Sequence, residues 1–308
     1  MGLAATSQAG TISFYFDGTG TGTFDLSKPL GTLDFTPGNA LAVASVPLTP
    51  TTSAFNLYAQ SKLGTFIGSD SGGTTYTLGD FGGAGKELTY QGTLAETGTA
   101  TSATTASFVS TGGTFSLFYG LSNSDTVTGA GFGDGLTILS GTVNAGDASN
   151  FNIDPSKPLT LLDGFGADNQ NGVLTVTGAG GGQISISGIT YDPNYFKFEG
   201  DPSAFLIGLL FNTSFITPFN QTNPSNVVVG QTPFYSLVGT SKVNGLFPVT
   251  ATCSDENGNT RLAPCDFHFQ ADANGSFTAR TVPEPITLAL LGLGLAGIGW
   301  TVRRRNAD

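Results

Sequence analysis

The chain has 308 residues and a formal net charge of −11, and only 11% of its residues are charged. Long helical bundles and coiled coils need many charged and strongly helix-forming residues, so this composition excludes them. A mean hydropathy of +0.09 and 24 Phe residues are too apolar for a disordered chain. With 45 Gly residues and frequent Thr, the sequence favours many short strands joined by tight turns.

Nearly all acidic residues lie before the apolar C-terminal run that begins at residue 286. Residues 1–285 hold 8 basic and 21 acidic residues, whereas Arg303, Arg304 and Arg305 stand together near the C-terminus. Such an acidic surface would repel nucleic acid, because phosphate binding needs clustered Lys and Arg. The acidic side chains either keep a sparsely charged protein soluble or attract divalent cations and basic surfaces.

The N-terminus lacks the apolar core of an export signal. Leu3-Ala4-Ala5 is too short for that core, and no Lys or Arg precedes it. Ser7-Gln8-Ala9 nevertheless resembles the small-x-small end of a signal peptide. We therefore interpret residues 1–10 as the remnant of a signal peptide and expect a basic and apolar stretch upstream.

Residues 11–281 repeatedly alternate apolar and polar side chains, as half-buried strands do. The runs are TISFYF (11–16), LTYQGTL (88–94), TFSLFYG (114–120), LTILSGTV (136–143), GVLTVTG (172–178), QISISGITY (183–191) and DFHFQ (266–270). The phase slips at Gly188, which indicates a β-bulge. AFLIGLLF (204–211) fits a strand or a helix, and the low-complexity stretch 95–113 indicates an exposed loop or edge region. We predict an all-β ectodomain with an antiparallel β-sandwich or jelly-roll topology.

One segment of the ectodomain occurs twice in similar form. SKPLGTLDF (27–35) is similar to SKPLTLLDGF (156–165). Either the ectodomain consists of two related halves that arose by duplication, or two strand-entry loops are alike by chance.

The two cysteines are Cys253 and Cys265, with an Asn257-Gly258 pair between them that favours a hairpin. A hairpin closed at this turn could bring the two thiols together. We expect a disulfide in an oxidising compartment, with two free buried thiols as the alternative. A zinc site is not expected, because the sequence contains only 1 His.

Two stretches carry oxygen-bearing side chains at alternate positions beside a glycine, namely Asp255, Asn257 and Asn259, and Asp272 and Asn274. Calcium prefers oxygen ligands, but neither stretch matches the twelve-residue calcium loop. Asn-Gly beside Asp is also ordinary hairpin chemistry. We predict no cofactor and keep these five residues as weak calcium candidates.

The sequence offers little support for catalysis. His268 lies on the polar face of its predicted strand beside Asp266 and Gln270, and the sequence contains no G-x-S-x-G elbow. Scattered carboxylates leave open a glycosidase pair that the fold would bring together. The ectodomain has no Trp, which disfavours a lectin with a Trp platform. We therefore expect a protein that is not an enzyme and has no catalytic residues.

The C-terminal tail has the pattern of a membrane anchor. Residues 286–302 form a 17-residue uncharged run, which would span about 26 Å as a helix. Trp300 stands at an interfacial position, and the three arginines would stay in the cytoplasm by the positive-inside rule. The tail predicts a single transmembrane helix with residues 1–285 outside the cytoplasm.

Val282-Pro283-Glu284-Pro285, then the apolar run, then Arg303-Arg304-Arg305 resemble the PEP-CTERM sorting signal of bacterial envelope and extracellular proteins. The resemblance implies that an exosortase-type membrane protease recognises the Pro-Glu-Pro element and cleaves near it. The ectodomain would then reach the cell surface or the extracellular matrix. The predicted organisation is a signal-peptide remnant (1–10), a β-rich ectodomain (11–281) and a sorting segment (282–308).

A second resemblance concerns CDFHFQADANGSFTA (265–279), preceded by TGGTFSLFYG (111–120) and FGDGLTILSGTV (132–143). These segments are similar to the flocculation-associated PEP-CTERM proteins, which implies a secreted or surface protein that helps cells aggregate within exopolysaccharide. The alternatives are a polysaccharide-processing enzyme, or a calcium- or glycan-binding adhesin, delivered by the same tail.

Overall fold

The computed structural model describes residues 10–46, 50–102, 104–124, 131–153, 160–161, 174–175, 178–212, 240–241, 252–254, 260–262 and 265–279. These residues form 17 strands and one short 3-10 helix, Leu78–Phe81. The strands are β1 (Phe14–Phe16), β2 (Leu30–Val46), β3 (Ser53–Gly68), β4 (Thr75–Tyr76), β5 (Lys86–Ala100), β6 (Thr105–Leu121), β7 (Leu136–Val143), β8 (Ala148–Ile153), β9 (Thr160–Leu161), β10 (Leu174–Thr175), β11 (Gly178–Tyr191), β12 (Phe196–Phe198), β13 (Pro202–Asn212), β14 (Thr240–Ser241), β15 (Thr252–Ser254), β16 (Thr260–Leu262) and β17 (Cys265–Ala279).

Eight strands close into one antiparallel barrel. Strands β2, β3, β5, β6, β7, β11, β13 and β17 pair in this order, and β17 pairs back with β2. Each barrel strand pairs with the next barrel strand in the chain, so the topology is an up-and-down meander. The closing seam runs from Cys265 opposite Val46 to Gly275 opposite Leu33.

Strands β7 and β8 together fill the place between β6 and β11. β7 pairs with residues 114–119 of β6, and β8 pairs with residues 105–109 of the same strand. The turn between them contains Gly146, whose φ is 98° and whose backbone N–H donates to the Ser110 carbonyl. β7 and β8 therefore behave as one long strand that is interrupted by a turn.

Bulges bend the long strands enough to close the sheet. The pairing of β2 with β3 shifts register around Pro37, and the pairing of β5 with β6 shifts between Ala95 and Glu96. The pairing of β11 with β7 shifts between Ser187 and Thr190, and Gly188 there has a φ of 61°. The predicted bulge at Gly188 is thus confirmed. Each bulge increases the local twist and bend of its strand.

Aromatic rings fill one end of the barrel. Phe16 of β1 lies 5.1 Å from the ring of Phe66, which in turn lies 5.2 Å from the ring of Phe81 in the 3-10 helix. The Tyr119 hydroxyl donates a hydrogen bond of 2.7 Å to the Gly18 carbonyl. Phe196 of β12 packs on Phe16 at 5.4 Å. The N-terminal segment and β12 therefore form a plug at this end.

The all-β prediction is confirmed, but the predicted β-sandwich or jelly roll is wrong, because one sheet closes on itself. The turn signals in the sequence suggested short strands, whereas β2 and β6 each have 17 residues. Long strands that are bent by bulges can curl into a closed barrel instead of splitting into two packed sheets.

Two local predictions also change. The low-complexity stretch 95–113 is mostly strand instead of an exposed loop or edge region, because residues 95–100 of β5 pair with residues 106–112 of β6 inside the sheet. Its Thr and Ser residues suit the outward positions of a strand, and the inward Ala106 is fully buried. The ambiguous run 204–211 is a strand, since it lies within β13.

Several predictions fall on residues outside the described part. These include residues 1–9 of the signal-peptide remnant, most of the second similar segment at 156–165 and most of the predicted strand at 172–178. The duplication and the domain boundaries therefore stay predictions.

Candidate functional site: the barrel wall and interior

The sorting segment lies outside the described residues. This applies to Val282, Pro283, Glu284, Pro285, Arg303, Arg304 and Arg305. Within the part of the chain that is described, no helix is long and apolar enough to cross a membrane. The predicted transmembrane helix at 286–302 belongs to the segment beyond that part.

The hairpin predicted between the cysteines is present in the backbone. β15 pairs with β16, and Cys253 stands opposite Arg261. Cys265 begins β17 and pairs with Val46 of β2. No disulfide is found among the described side chains, and those of the two cysteines lie outside them. The disulfide stays a prediction.

The weak calcium candidates divide into two groups. Asp255, Asn257 and Asn259 lie outside the described residues. Asp272 and Asn274 lie within β17, not in a hairpin turn. Burial raises the pKa of Asp272, and the nearby Asp34 carboxylate adds to the rise. Among the described residues, no group of three or more His, Cys, Asp or Glu side chains could hold a metal ion.

His268 of β17 pairs with Leu41 in the backbone, but its side chain is outside the described part. Its predicted position on a polar strand face stays a prediction.

The outer wall of the barrel carries uncharged polar side chains over several adjacent strands. One row crosses the wall from Thr93 to Thr114, Thr142 and Ser187, each directly opposite the next. A second row holds Gln91, Ser116, Ser140 and Thr190, and a third holds Thr99, Ser107 and Asn150. Strands β6, β7, β8 and β11 contain no Asp, Glu, Lys or Arg. We call these three rows the hydroxyl wall.

The hydroxyl wall was missed at the level of the sequence, although its signal was present. The strand segments 105–121, 136–143, 148–153 and 178–191 are free of charged residues. Recognising a wall requires knowing that these segments are neighbours in one sheet. Neighbouring strands lie about 4.8 Å apart, so the rows bring hydroxyl and amide groups of different strands close together.

Two buried carboxylates among the described residues, Asp17 and Glu87, are held by hydrogen bonds. Burial alone would raise the pKa of Asp17, but hydrogen bonds from Thr19, Thr23 and Thr21 lower it below its ordinary value. Glu87 accepts hydrogen bonds from the backbone N–H groups of Asn123 and Ser124 at 3.2 and 2.7 Å, and from the Ser124 hydroxyl at 2.6 Å. These carboxylates fix loops to the barrel, which explains their burial.

Glu96 is a further buried carboxylate of the described residues, and it differs because no hydrogen bond or ion pair from another described residue holds it. It is 5% exposed and pairs across the sheet with the inward-facing Phe55. The alternation of β5 places it on the same inward face as Tyr90 and Leu94. Burial raises the pKa of Glu96 to about 7. The sequence already indicated the inward position of Glu96, since it is in phase with the apolar positions Leu88, Tyr90 and Leu94.

The barrel interior contains an apolar cavity of about 20 Å³ next to this face of β5. Its lining includes the small residues Ala40, Ala59 and Gly92, together with Tyr90 and Leu94. The Tyr90 hydroxyl is buried and has no hydrogen-bond partner among the described residues. Burial raises the pKa of Tyr90, and Asp272 adds to this effect. Eight-stranded barrels are just wide enough to be filled by side chains or to hold one small ligand.

Comparison with known families identifies the C-terminal tail. The model of the PEP-CTERM protein-sorting motif matches residues 281–305. The chain matches no curated protein and no solved structure at a significant level. The motif implies that the protein is exported, anchored in the membrane before sorting and processed by an exosortase-type protease. The match covers the tail alone, so the role of the barrel is a separate question.

Proposed function

We propose that this exported PEP-CTERM protein is a non-enzymatic component of the cell surface or extracellular matrix. In this role it associates with exopolysaccharide and promotes flocculation or biofilm formation. The sorting motif at residues 281–305 supports an extracytoplasmic destination. The similarity of segments 111–120, 132–143 and 265–279 to flocculation-associated proteins supports the role in aggregation.

The hydroxyl wall is the observation that carries the association with polysaccharide. Thr, Ser, Asn and Gln side chains both donate and accept hydrogen bonds, as sugar hydroxyls do. Because the hydroxyl wall carries no charge, it would not itself repel a neutral or an acidic polymer. Its contacts with the polymer would also not depend on the salt concentration. Each contact would be weak, but several rows on one protein and many proteins on one polymer chain give retention by multivalency.

Deletion of the gene tests the biological role. We expect cells without the protein to settle more slowly and to form less biofilm, and we expect the intact gene to restore both. Unchanged settling and biofilm in the deletion strain would overturn the proposal. Shortening of purified exopolysaccharide by the protein would favour the alternative of a polysaccharide-processing enzyme.

A charge-introducing variant tests the hydroxyl wall itself. Thr93→Glu, Thr114→Glu and Thr142→Glu together place three carboxylates in one row of the wall. A matched control puts Leu26→Glu, Ser71→Glu and Ser122→Glu in exposed loops, which gives the same change in net charge. We expect the wall variant to lose about tenfold in retention on exopolysaccharide, measured by co-sedimentation, because sugar hydroxyls would lose partners to repelling, hydrated carboxylates.

The control variant and the wild-type protein should be retained alike. Retention of the wild type should also change little between about 0.05 and about 1 M NaCl, because the wall carries no charge. Equal retention of the wall variant and the control, or loss of wild-type retention at high salt, would contradict polysaccharide binding by this wall.

A further inference from the structure

The last barrel strand ends beside the N-terminal segment, at the end of the barrel that β1 and β12 fill. We call this end the plug end. The Gly10 carbonyl accepts a hydrogen bond of 3.1 Å from the backbone N–H of Ala279. The Phe277 carbonyl accepts one of 3.0 Å from the backbone N–H of Ile12, and the Phe277 ring lies 5.1 Å from that of Phe14. The chain therefore continues from the plug end into the sorting segment.

The connection to the membrane anchor is short compared with the barrel. Residues 280–285 separate the end of β17 from the uncharged run of the tail, and six extended residues reach about 20 Å. The longest barrel strands have 17 residues, so with the usual strand tilt the barrel is about 40 Å tall. Because the sorting motif implies anchoring in the membrane, the anchored barrel cannot stand with its opposite end on the membrane.

The plug end also carries exposed apolar side chains. Four large apolar side chains of the described residues are exposed, and three of them, Leu26, Leu121 and Leu136, lie at this end. Leu121 is the last residue of β6, and Leu136 is the first residue of β7. Leu26 lies in the loop before β2, and Lys28 of the same loop lies over the Phe81 ring of the 3-10 helix. Exposed leucines next to a membrane anchor suit the interface of a lipid bilayer.

The charges of the plug end indicate which lipid surface it fits. Its described loops and strand ends hold nine acidic and three basic residues, within 17–29, 69–87, 131–135 and 192–201. Anionic lipids give a membrane a negative surface potential, which would repel this excess of acidic groups. A zwitterionic surface would not repel them, so the apolar contacts would decide the outcome there.

We propose that the plug end of the anchored protein lies on the lipid surface and contacts it through Leu26, Leu121 and Leu136. This contact keeps the barrel upright, with the opposite end pointing away from the membrane. It also holds Pro283-Glu284-Pro285 between the barrel and the bilayer, close to the surface at which a membrane protease acts. The inference does not depend on the association with polysaccharide.

Tryptophan fluorescence provides the test, because the only Trp of the chain is Trp300 in the tail. Trp300→Phe removes this signal. Leu26→Trp, Leu121→Trp or Leu136→Trp then places a single reporter at the plug end. Val109→Trp is the matched control, because Val109 is the fourth exposed apolar side chain and lies twelve positions from Leu121, about 40 Å along β6. The full-length variants are reconstituted in phosphatidylcholine vesicles with and without brominated acyl chains, which quench Trp on contact.

Brominated lipid should quench the three reporters at the plug end and leave the Val109→Trp reporter nearly unchanged. Vesicles that also contain phosphatidylglycerol should give less quenching at the plug end at low salt, because the acidic groups are repelled. Quenching of the control as strong as that of the plug-end reporters, or no quenching at the plug end, would overturn the proposed orientation. Stronger quenching on the anionic vesicles would contradict the proposed choice of lipid surface.

A second pair of variants separates contact by the leucines from simple tethering by the tail. Leu26→Asn and Leu136→Asn remove two of the apolar contacts, and the Leu121→Trp reporter measures the contact that is left. The matched control combines the same reporter with Val109→Asn. The leucine variant should lose most of the quenching, whereas the control should keep it. Thermal melts check that both proteins are folded, and undiminished quenching in a folded leucine variant would show that these side chains do not hold the barrel on the membrane.

Discussion

Strand β5 carries two buried carboxylates whose environments are opposite. Glu87 receives three hydrogen bonds from the loop at Asn123 and Ser124, so its negative charge is compensated. Glu96 receives none from the described residues, and its buried cross-strand neighbour is the apolar Phe55. The two side chains lie on opposite faces of β5, because side chains alternate between the faces of a strand and the two residues are nine positions apart. Glu87 points outward and Glu96 points into the barrel. Burial is therefore expected to cost less stability at Glu87 than at Glu96.

The raised pKa of Glu96 predicts that the protein is more stable in mild acid than in mild base. The pKa is about 7 in the folded protein against an ordinary value of 4.5. The unfolded chain therefore releases this proton first, and stability is lost as the pH rises from about 4.5 through about 7. The expected loss is about 3 kcal/mol at most, from about 1.4 kcal/mol per pH unit. Urea unfolding at pH 5 and pH 8 measures it.

The Glu96→Gln variant should unfold with nearly equal free energy at both pH values and should be more stable than the wild type at pH 8. Glu87→Gln is the matched control, and it should keep the pH dependence while losing stability at both pH values. Burial also raises the pKa of Asp272, so a small dependence of the same sign remains in the Gln variant. Equal stability of the wild type at pH 5 and pH 8 would contradict the burial of an ionisable Glu96.

At the scale of the strand, the sequence predicts a strand well where the alternation of apolar and polar residues and the flanking turn residues indicate the same limits. β7 has the predicted bounds at 136–143, because its apolar positions and the flanking Gly and Asn residues give the same limits. The bulge at Gly188 was also predictable, since the phase of the apolar residues slips there. The stretch 95–113 was not, because Thr, Ser, Ala and Gly have weak patterns of their own. Its strand state comes from pairing along the whole β5–β6 hairpin.

The candidate site was likewise predictable from the sequence only in part. That β6, β7, β8 and β11 lack charged residues is visible in the sequence, but their adjacency is not. The phase of Glu96 with Leu88, Tyr90 and Leu94 is visible as well. Which face of β5 points inward, and that Gly92 stands beside Ala40 and Ala59 from other strands, depends on closure of the barrel. Pairing between strands that are distant in the chain determines which face of β5 is inward and which residues lie beside Gly92. Local patterns in a single sequence do not show this pairing.

The seam between β13 and β17 provides a test of packing at this scale. Gly275 of β17 stands opposite Ile207, and the Phe205 ring fills the space where a Gly275 Cβ would lie. Gly275→Ala should therefore displace the fully buried Phe205 and cost about 1–3 kcal/mol in the free energy of unfolding. Thermal and urea denaturation measure the loss.

Gly208 is the matched control, because it lies on the neighbouring strand opposite Asn274. A Cβ at Gly208 would lie 3.7 Å from the Asn274 carbonyl oxygen, an ordinary contact. Gly208→Ala should change the stability by less than about 1 kcal/mol. Equal effects of the two substitutions would show that Phe205 does not pack on Gly275 as described.

For the whole molecule, the position of β17 links the barrel to the sorting tail. β17 is the last strand of the barrel, it pairs with both β13 and β2, and it ends at Ala279. The sorting motif begins at residue 281. Processing near Pro283-Glu284-Pro285 would therefore leave all eight barrel strands intact, whereas a cut before β17 would open the sheet and expose two long edges.

Two truncations test this arrangement. A chain that ends at Thr281 should unfold cooperatively with the same midpoint as the full-length protein in detergent, because the barrel loses no strand. A chain that ends at Pro264 lacks β17 and with it the backbone pairing to both β2 and β13. It also loses Phe277, which is fully buried against Phe14 and Phe205. We expect it to show no cooperative thermal transition in circular dichroism. A cooperative transition in the Pro264 chain would mean that closure by β17 is not needed for folding, and a lowered midpoint in the Thr281 chain would mean that the tail contributes to the barrel.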